Sequence, residues 1–243
     1  MIRPLFFLGV HKPYMAKRVE RAMLSINGLM ERRSNFVAND WILDSGAFTR
    51  ITTGRGHLPV GEYAAAANRW ASCGNLLAVV SQDWMCEPFV LQTTGLTVLE
   101  HQRLTTERYK TLRPLVTPYL MPVLQGYDPR EYVSHIRTYD LEPGAWVGVG
   151  SVCKRNASPW QVAAVLDAIL SVRPDLRLHG FGLKQTALRN EGVASRLYSC
   201  DSMAWSFNAR RKGRDPNDIE EGLRWANRIN SAPIQRELRN CAT

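Results

Sequence analysis

Apolar and polar positions follow one another in blocks whose period switches between two and about 3.6, the mark of strands and helices taken in turn. Leu5-Phe6-Phe7-Leu8-Gly9-Val10 is a run suited to a buried strand. Residues 15–30 follow with apolar positions at helical spacing and arginines on the other face, which predicts a helix. Trp41-Ile42-Leu43 suits a pleated segment and ends abruptly at Asp44, with the turn signal Ser45-Gly46 behind it. The alanine-rich stretch 61–73, closed by Gly74, predicts a helix, and residues 76–81 predict a strand that delivers Gln82 and Asp83.

The same alternation continues to the end of the chain. A helix over 96–112 lies between Gly95 and Pro114, and a strand over 119–124, weakened by Pro122, delivers Gln125-Gly126 before a helix over 130–137. Residues 146–151 read as a strand, and 159–172 as a helix with Ser158 at its N-cap and Pro159 at its first position. Residues 177–182 and 196–200 read as strands around a short helix near 185–194, and 218–229 as a last helix. Seven strands are recognisable. With no linker, repeat or composition break, the reading is one domain over residues 1–243, a TIM-type (β/α)8-like barrel, with a doubly wound open sheet as the alternative.

Composition narrows the class. A chain of 243 residues with 45% hydrophobic content can bury one large core. No apolar run approaches the roughly 18 residues of a membrane span, and residues 2–10 are too short and poorly flanked for a signal peptide, so a cytoplasmic protein away from membranes is expected. Cys73, Cys86, Cys153, Cys200 and Cys241 are odd in number and never spaced as C-x2-C, which argues against a disulfide framework and against a zinc site. Lys and Arg number 31 against 22 Asp and Glu, a net charge of +9, so polyanions should bind in a salt-dependent way. Nucleic acid is the leading partner.

In a barrel the strand ends converge on one rim, and here they carry Asp44, Asp83, Gln125, residues 148–151, residues 180–182 and Asp201. Any one of these has an ordinary explanation as a cap or turn. Together they suit a glycosyl transfer, in which two carboxylates act as nucleophile and acid/base while a third, with an amide, reads the polar edge of a base. Phe48 and Phe181 follow strand ends and could sandwich a flat ring, or be plain core. Past Asp201, the segment 206–214 carries Arg210, Arg211, Lys212 and Arg214, suited to phosphates or to a solvated basic loop.

Five ordered motifs, Asp44-Ser45-Gly46-Ala47-Phe48, Val123-Leu124-Gln125-Gly126, Gly148-Val149-Gly150-Ser151, Gly180-Phe181-Gly182 and Cys200-Asp201, resemble those of the tRNA-guanine transglycosylase superfamily. The DNA-modifying 7-deazaguanine transglycosylases are the closer match. The resemblance covers roughly residues 40–214. It implies a barrel in which Asp201 attacks the anomeric carbon and expels guanine, Asp44 is the acid/base, and a 7-deazaguanine such as preQ0 resolves the covalent glycosyl-enzyme. It also implies base-reading by Asp83, Gln125, the Gly150-Ser151 backbone and Gly182, and stacking by Phe48 and Phe181.

Departures from the superfamily pattern are specific. The tRNA enzymes carry a C-x-C-x2-C…H zinc subdomain, whereas only Cys241 lies beyond Asp201 here, so neither metal nor organic cofactor is expected. The Pro-Thr-Arg segment after the nucleophile is replaced by Ala204-Trp205-Ser206. The segment after Gly150 has no acidic residue and brings Lys154 and Arg155, which join the candidate nucleic-acid contacts. The first hypothesis is therefore guanine exchange in DNA. Behind it stand the same chemistry on tRNA, a barrel that binds nucleic acid without catalysis, and a glycosidase for a free nucleoside, which would not require so basic a surface.

Overall fold

Phe6 to Val10 are buried without a break, as a parallel strand covered on both faces requires. They lie in β1 (Leu5–Val10), followed by β2 (Arg21–Ser25), β3 (Asp40–Asp44), β4 (Asn75–Val80), β5 (Leu120–Met121), β6 (Val123–Leu124), β7 (Trp146–Val149), β8 (Arg177–Gly180) and β9 (Ser199–Ser202). The computed structural model describes residues 3–155 and 157–235, so Cys241 lies outside the described residues. All strand pairs are parallel, in the order β5-β4-β3-β2-β1-β9-β8-β7-β6. The two end members are halves of one strand parted by Pro122, which has no N–H to give to a ladder. Counting them as one leaves eight staves of a nearly closed barrel, wrapped by helices.

Side chains alternate between two apolar layers, as the pleat dictates. Phe7, Met23, Ile42, Val80, Met121 and Trp146 fill the barrel interior, while Leu8, Leu24, Leu43, Val79, Val149 and Leu178 pack outward against the helices. Burying a side chain of this size contributes about 1.5–3 kcal/mol. The same alternation decides where the chemistry points. Asp44 lies two residues beyond inward-facing Ile42, and Asp201 sits beside inward-facing Phe7 in the β1–β9 register.

One expected element is wrong. Residues 15–30 form no long helix but a single turn Pro13–Ala16, then β2, then a 3-10 turn Ile26–Gly28. Val19, Met23, Ile26 and Met30 fit helical spacing, yet Ala22 and Leu24 face the outer layer and Met23 the inner one, which is a strand's pattern. That segment supplies the stave that the seven recognisable strands lacked.

Smaller differences matter for the site. The strand expected over 196–200 is β9, Ser199–Ser202, so Asp201 lies inside a strand rather than after it. The helix near 185–194 is two single turns, Gln185–Leu188 and Glu191–Ala194, the second capped by Asn190. Pro159–Val172 is a helix as expected, although the Ser158 side chain makes no capping hydrogen bond. Among the described residues, no helix is long and apolar enough to cross a membrane.

Candidate active site

The end of β3 turns sharply through Gly46, whose φ of 70° is left-handed, and the Gly46 N–H donates to Asp44 Oδ2 at 3.0 Å. Any Cβ at Gly46 would also fall 2.3 Å from Asn27 Nδ2. Burial raises the Asp44 carboxyl to about 6; the Gly46 amide and Ser25 hydroxyl oppose that shift, and the negative charge of Asp201 adds to it. Asp44 can therefore hold a proton close to neutral pH. The following helix, Ala47–Thr52, carries Phe48 out to the rim, where it is 48% exposed.

Three more strand ends build a hydrogen-bonded chain. Gln125, past β6, donates through Nε2 to Asp83 Oδ2, past β4, and its Oε1 lies 2.9 Å from Ser151 Oγ, past β7. Ser151 Oγ accepts the Cys86 N–H at 2.9 Å and lies 2.8 Å from Glu87 Oε2. Its φ of 56° makes it the one left-handed non-glycine residue among the described residues, a strained conformation of the kind that collects at functional sites. Burial again dominates at Asp83 and pushes its carboxyl to about 7, against the hydrogen bond from Gln125.

Gly150 lets this chain close. A Cβ there would lie 2.1 Å from Gln125 Nε2, so the amide rests directly on bare backbone. The backbone of Gln125 is held as well, its N–H donating to His135 Nδ1 at 2.9 Å and its carbonyl accepting from Gln102 Nε2 at 2.7 Å. Gly150→Ala should therefore displace only the Gln125 side chain, weakening the binding of a base about tenfold or more as its hydrogen bonds go, while the protein stays folded. Titration of base binding beside a thermal melt checks this, and unchanged affinity would remove Gln125 from the pocket.

Asp201 is 9% exposed on β9, and its Oδ1 accepts the Gly182 N–H at 2.9 Å. His179 Nε2 lies 3.4 Å from the same oxygen. Phe181 turns its ring into the barrel, where it meets His179 edge-on at 4.8 Å and fills the space over Gly148, whose Cβ would be 2.4 Å from Phe181 Cε2. Phe48 belongs to a different ring pair, with Phe89 at 6.2 Å, and the Lys154 ammonium sits 5.7 Å and 5.2 Å from those two rings.

The basic residues fall into two kinds. Arg210 and Arg211 on the helix Ala204–Arg211, with Lys212 behind it, are exposed, and that helix is fixed to the barrel by buried Trp205, whose Nε1 donates to the Gly9 carbonyl at 2.8 Å. Arg214 is exposed but paired with Glu221 at 2.8 Å. Arg155 is 9% exposed, stacks on Tyr127 at 4.3 Å and donates to its carbonyl, so it braces a loop.

Sequence reasoning missed two residues here. Glu87 is 2% exposed and joins the chain of Asp83, Gln125 and Ser151, but standing just before Pro88 at the start of a helix it reads as a cap. His179, inside an apolar strand, reads as core. Among the described residues, no group of three or more His, Cys, Asp or Glu could hold a metal ion.

This parallel barrel belongs to the tRNA-guanine transglycosylase superfamily. Within it, the chain belongs to the DNA-guanine transglycosylase family, whose model, DpdA (DeoxyPurine in DNA protein A), it matches over residues 2–237. No curated protein matches the chain.

Proposed function

We propose that this chain exchanges guanine in DNA for a 7-deazaguanine base of the preQ0 kind through a covalent glycosyl-enzyme. The observation that carries the reading is the pair of inward carboxylates at one rim, Asp201 on β9 and Asp44 on β3, close enough that the charge of one raises the other. Asp201 attacks C1′, the C1′–N9 bond breaks, and its electron pair leaves with the purine as Asp44 delivers a proton. The incoming base then attacks C1′, the ester bond to Asp201 breaks, and Asp44 takes the proton from the new base. Asp83, Gln125 and Ser151, with Gly150 making room for the Gln125 amide, suit the polar edge of a guanine-like base, and Phe48, exposed at the rim, suits one of its faces, whereas Phe181 packs inside the barrel and the Gly182 N–H is taken by Asp201. A base in a duplex must first be unstacked, at a cost of a few kcal/mol. The whole residue range 1–243 is taken as one catalytic domain.

The exposed basic helix supports a polynucleotide substrate. Replacing Arg210, Arg211 and Lys212 by Ala should flatten the salt dependence of DNA binding by about 0.9 log units per log unit of salt for each phosphate that is no longer neutralised. Arg214→Ala and Arg155→Ala should change it less, because those guanidinium groups already have partners. An unchanged slope in the triple variant would move the DNA path elsewhere.

The test of the function is mass spectrometry of nucleosides from DNA and from tRNA of cells with and without the chain. A deazaguanine deoxynucleoside that depends on the chain is the expected result. A change confined to tRNA would favour exchange on tRNA, and no change in either would favour a barrel that only binds nucleic acid.

A further inference from the structure

His179 is fully buried, its ring bracketed by Phe7 at 6.1 Å, Trp146 at 6.2 Å and Phe181 at 4.8 Å. An imidazole in an aromatic box needs a partner for each nitrogen. Nδ1 has one, lying 2.9 Å from Ser199 Oγ, which in turn lies 2.8 Å from Trp146 Nε1. An indole nitrogen only donates, so Ser199 accepts from Trp146 and has its hydroxyl hydrogen to offer to Nδ1. The atom facing Nε2 is a carboxylate oxygen, an acceptor, so the imidazole hydrogen belongs on Nε2 and Nδ1 accepts from Ser199.

That Nε2–H is buried and makes no hydrogen bond of good geometry, yet it faces Asp201 Oδ1 at 3.4 Å. A histidine that served only as core would find both nitrogens satisfied. Here one donor stands 3.4 Å from a carboxylate oxygen but is not aligned on it, and catalytic hydrogen bonds of this long, poorly aligned kind tighten in a reacting complex. The oxygen it faces is the one that already accepts the Gly182 N–H at 2.9 Å.

We propose that His179 is a positioning residue for Asp201: with the Gly182 N–H it anchors Oδ1, so that Oδ2 is the oxygen that meets the sugar. The proposal rests on the reading of Asp201 as nucleophile. In the first step Oδ2 bonds to C1′ and the purine leaves with the C1′–N9 electron pair and a proton from Asp44. In the second, the nitrogen of the incoming base bonds to C1′ and gives its proton to Asp44, the C1′–Oδ2 bond breaks, and that bond's electron pair returns to the carboxylate. Negative charge develops on Asp201 in that second step, where two fixed donors at Oδ1 stabilise it. Loss of the His179 donor therefore slows resolution of the adduct more than its formation.

The experiment uses the full chain, a guanine-containing single-stranded oligonucleotide and a denaturing gel that follows the adduct before and after a 7-deazaguanine base is added. The variants are His179→Gln, His179→Asn and Asp201→Asn, each with a thermal melt. A glutamine amide reaches the place of Nε2, whereas an asparagine amide reaches only that of Nδ1. His179→Asn should form the adduct and resolve it about tenfold more slowly, and His179→Gln should restore most of the wild-type rate. Equal resolution by the two variants, at whatever rate, would overturn the proposal while leaving Asp201 as nucleophile. Unfolding of both would make His179 a core residue and overturn it too. An adduct formed by Asp201→Asn would remove the nucleophile itself, and the proposal with it.

Discussion

Asp201→Asn should abolish both guanine exchange and the covalent protein–DNA adduct, whereas Asp44→Asn should keep the nucleophile and lose the proton donor. Cleaving the bond to a purine needs a nucleophile at C1′ and a proton at the departing base, and one carboxylate cannot serve both places. Loss of an acid/base group slows its step by about 10²–10⁴-fold, so the Asp44 variant should show slow adduct formation rather than none. The wild type should also show the proton on Asp44 directly. With that carboxyl raised to about 6, its acid form is lost as pH rises through that value, and adduct formation should fall across the same window. Asp44→Asn should flatten that part of the profile. A gel read beside incorporation of labelled guanine makes the comparison, and an Asp201→Asn protein that still exchanges guanine would sink the assignment.

Asp83→Asn should move activity and stability in opposite directions. Its carboxyl, raised to about 7 by burial, binds a proton more tightly in the native state than in the unfolded chain. The native state therefore gains stability as pH falls from about 7 towards 4 and loses it as pH rises over that range. A tenfold difference in proton affinity between the two states is worth about 1.4 kcal/mol, so an ionised Asp83 costs the fold a few kcal/mol above neutrality. Asparagine carries no charge to bury, and its carbonyl can still accept from Gln125. The variant should melt higher than wild type at pH 8 and alike at pH 4. Base binding should weaken about 10-fold to 100-fold, the worth of a hydrogen bond to a charged group. A variant that melts lower at pH 8 would make Asp83 a structural strut instead.

Where the sequence was legible, a local signal agreed with the tertiary packing. Pro159 followed by apolar positions at helical spacing marked its helix to the residue, and the run Trp41 to Leu43 ending at Asp44 marked both β3 and its chemistry. β2 was hidden because five residues are too few to separate a period of two from 3.6 when methionines flank them on both sides. Glu87 and His179 were hidden for another reason. Their roles depend on Ser151 and on Ser199 with Asp201, partners 64, 20 and 22 positions away that only the closed barrel brings near. Arg155 shows the converse, a cation that the segment after Gly150 puts among the nucleic-acid contacts and that the fold stacks on Tyr127.

Pro122 has a mechanical consequence. The stave it divides bonds to β4 through Leu120 and Met121 and to β7 through Val123 and Leu124, so it hands its ladder from one neighbour to the other within five residues. The pairs β1–β9, β2–β3, β3–β4 and β7–β8 are each stitched by four or five positions, whereas this stave has two on either side. Among the described residues it is the one stave with only two such positions on each flank. Gln125 hangs directly from it, and its backbone is pinned apart from the ladder, the N–H by His135 and the carbonyl by Gln102. Across the rim Asp201 is held differently, through the ladder itself, by the four positions that join β9 to β1, so the two sides of one rim are fixed by different means: side-chain bonds at Gln125 and backbone pairing at Asp201.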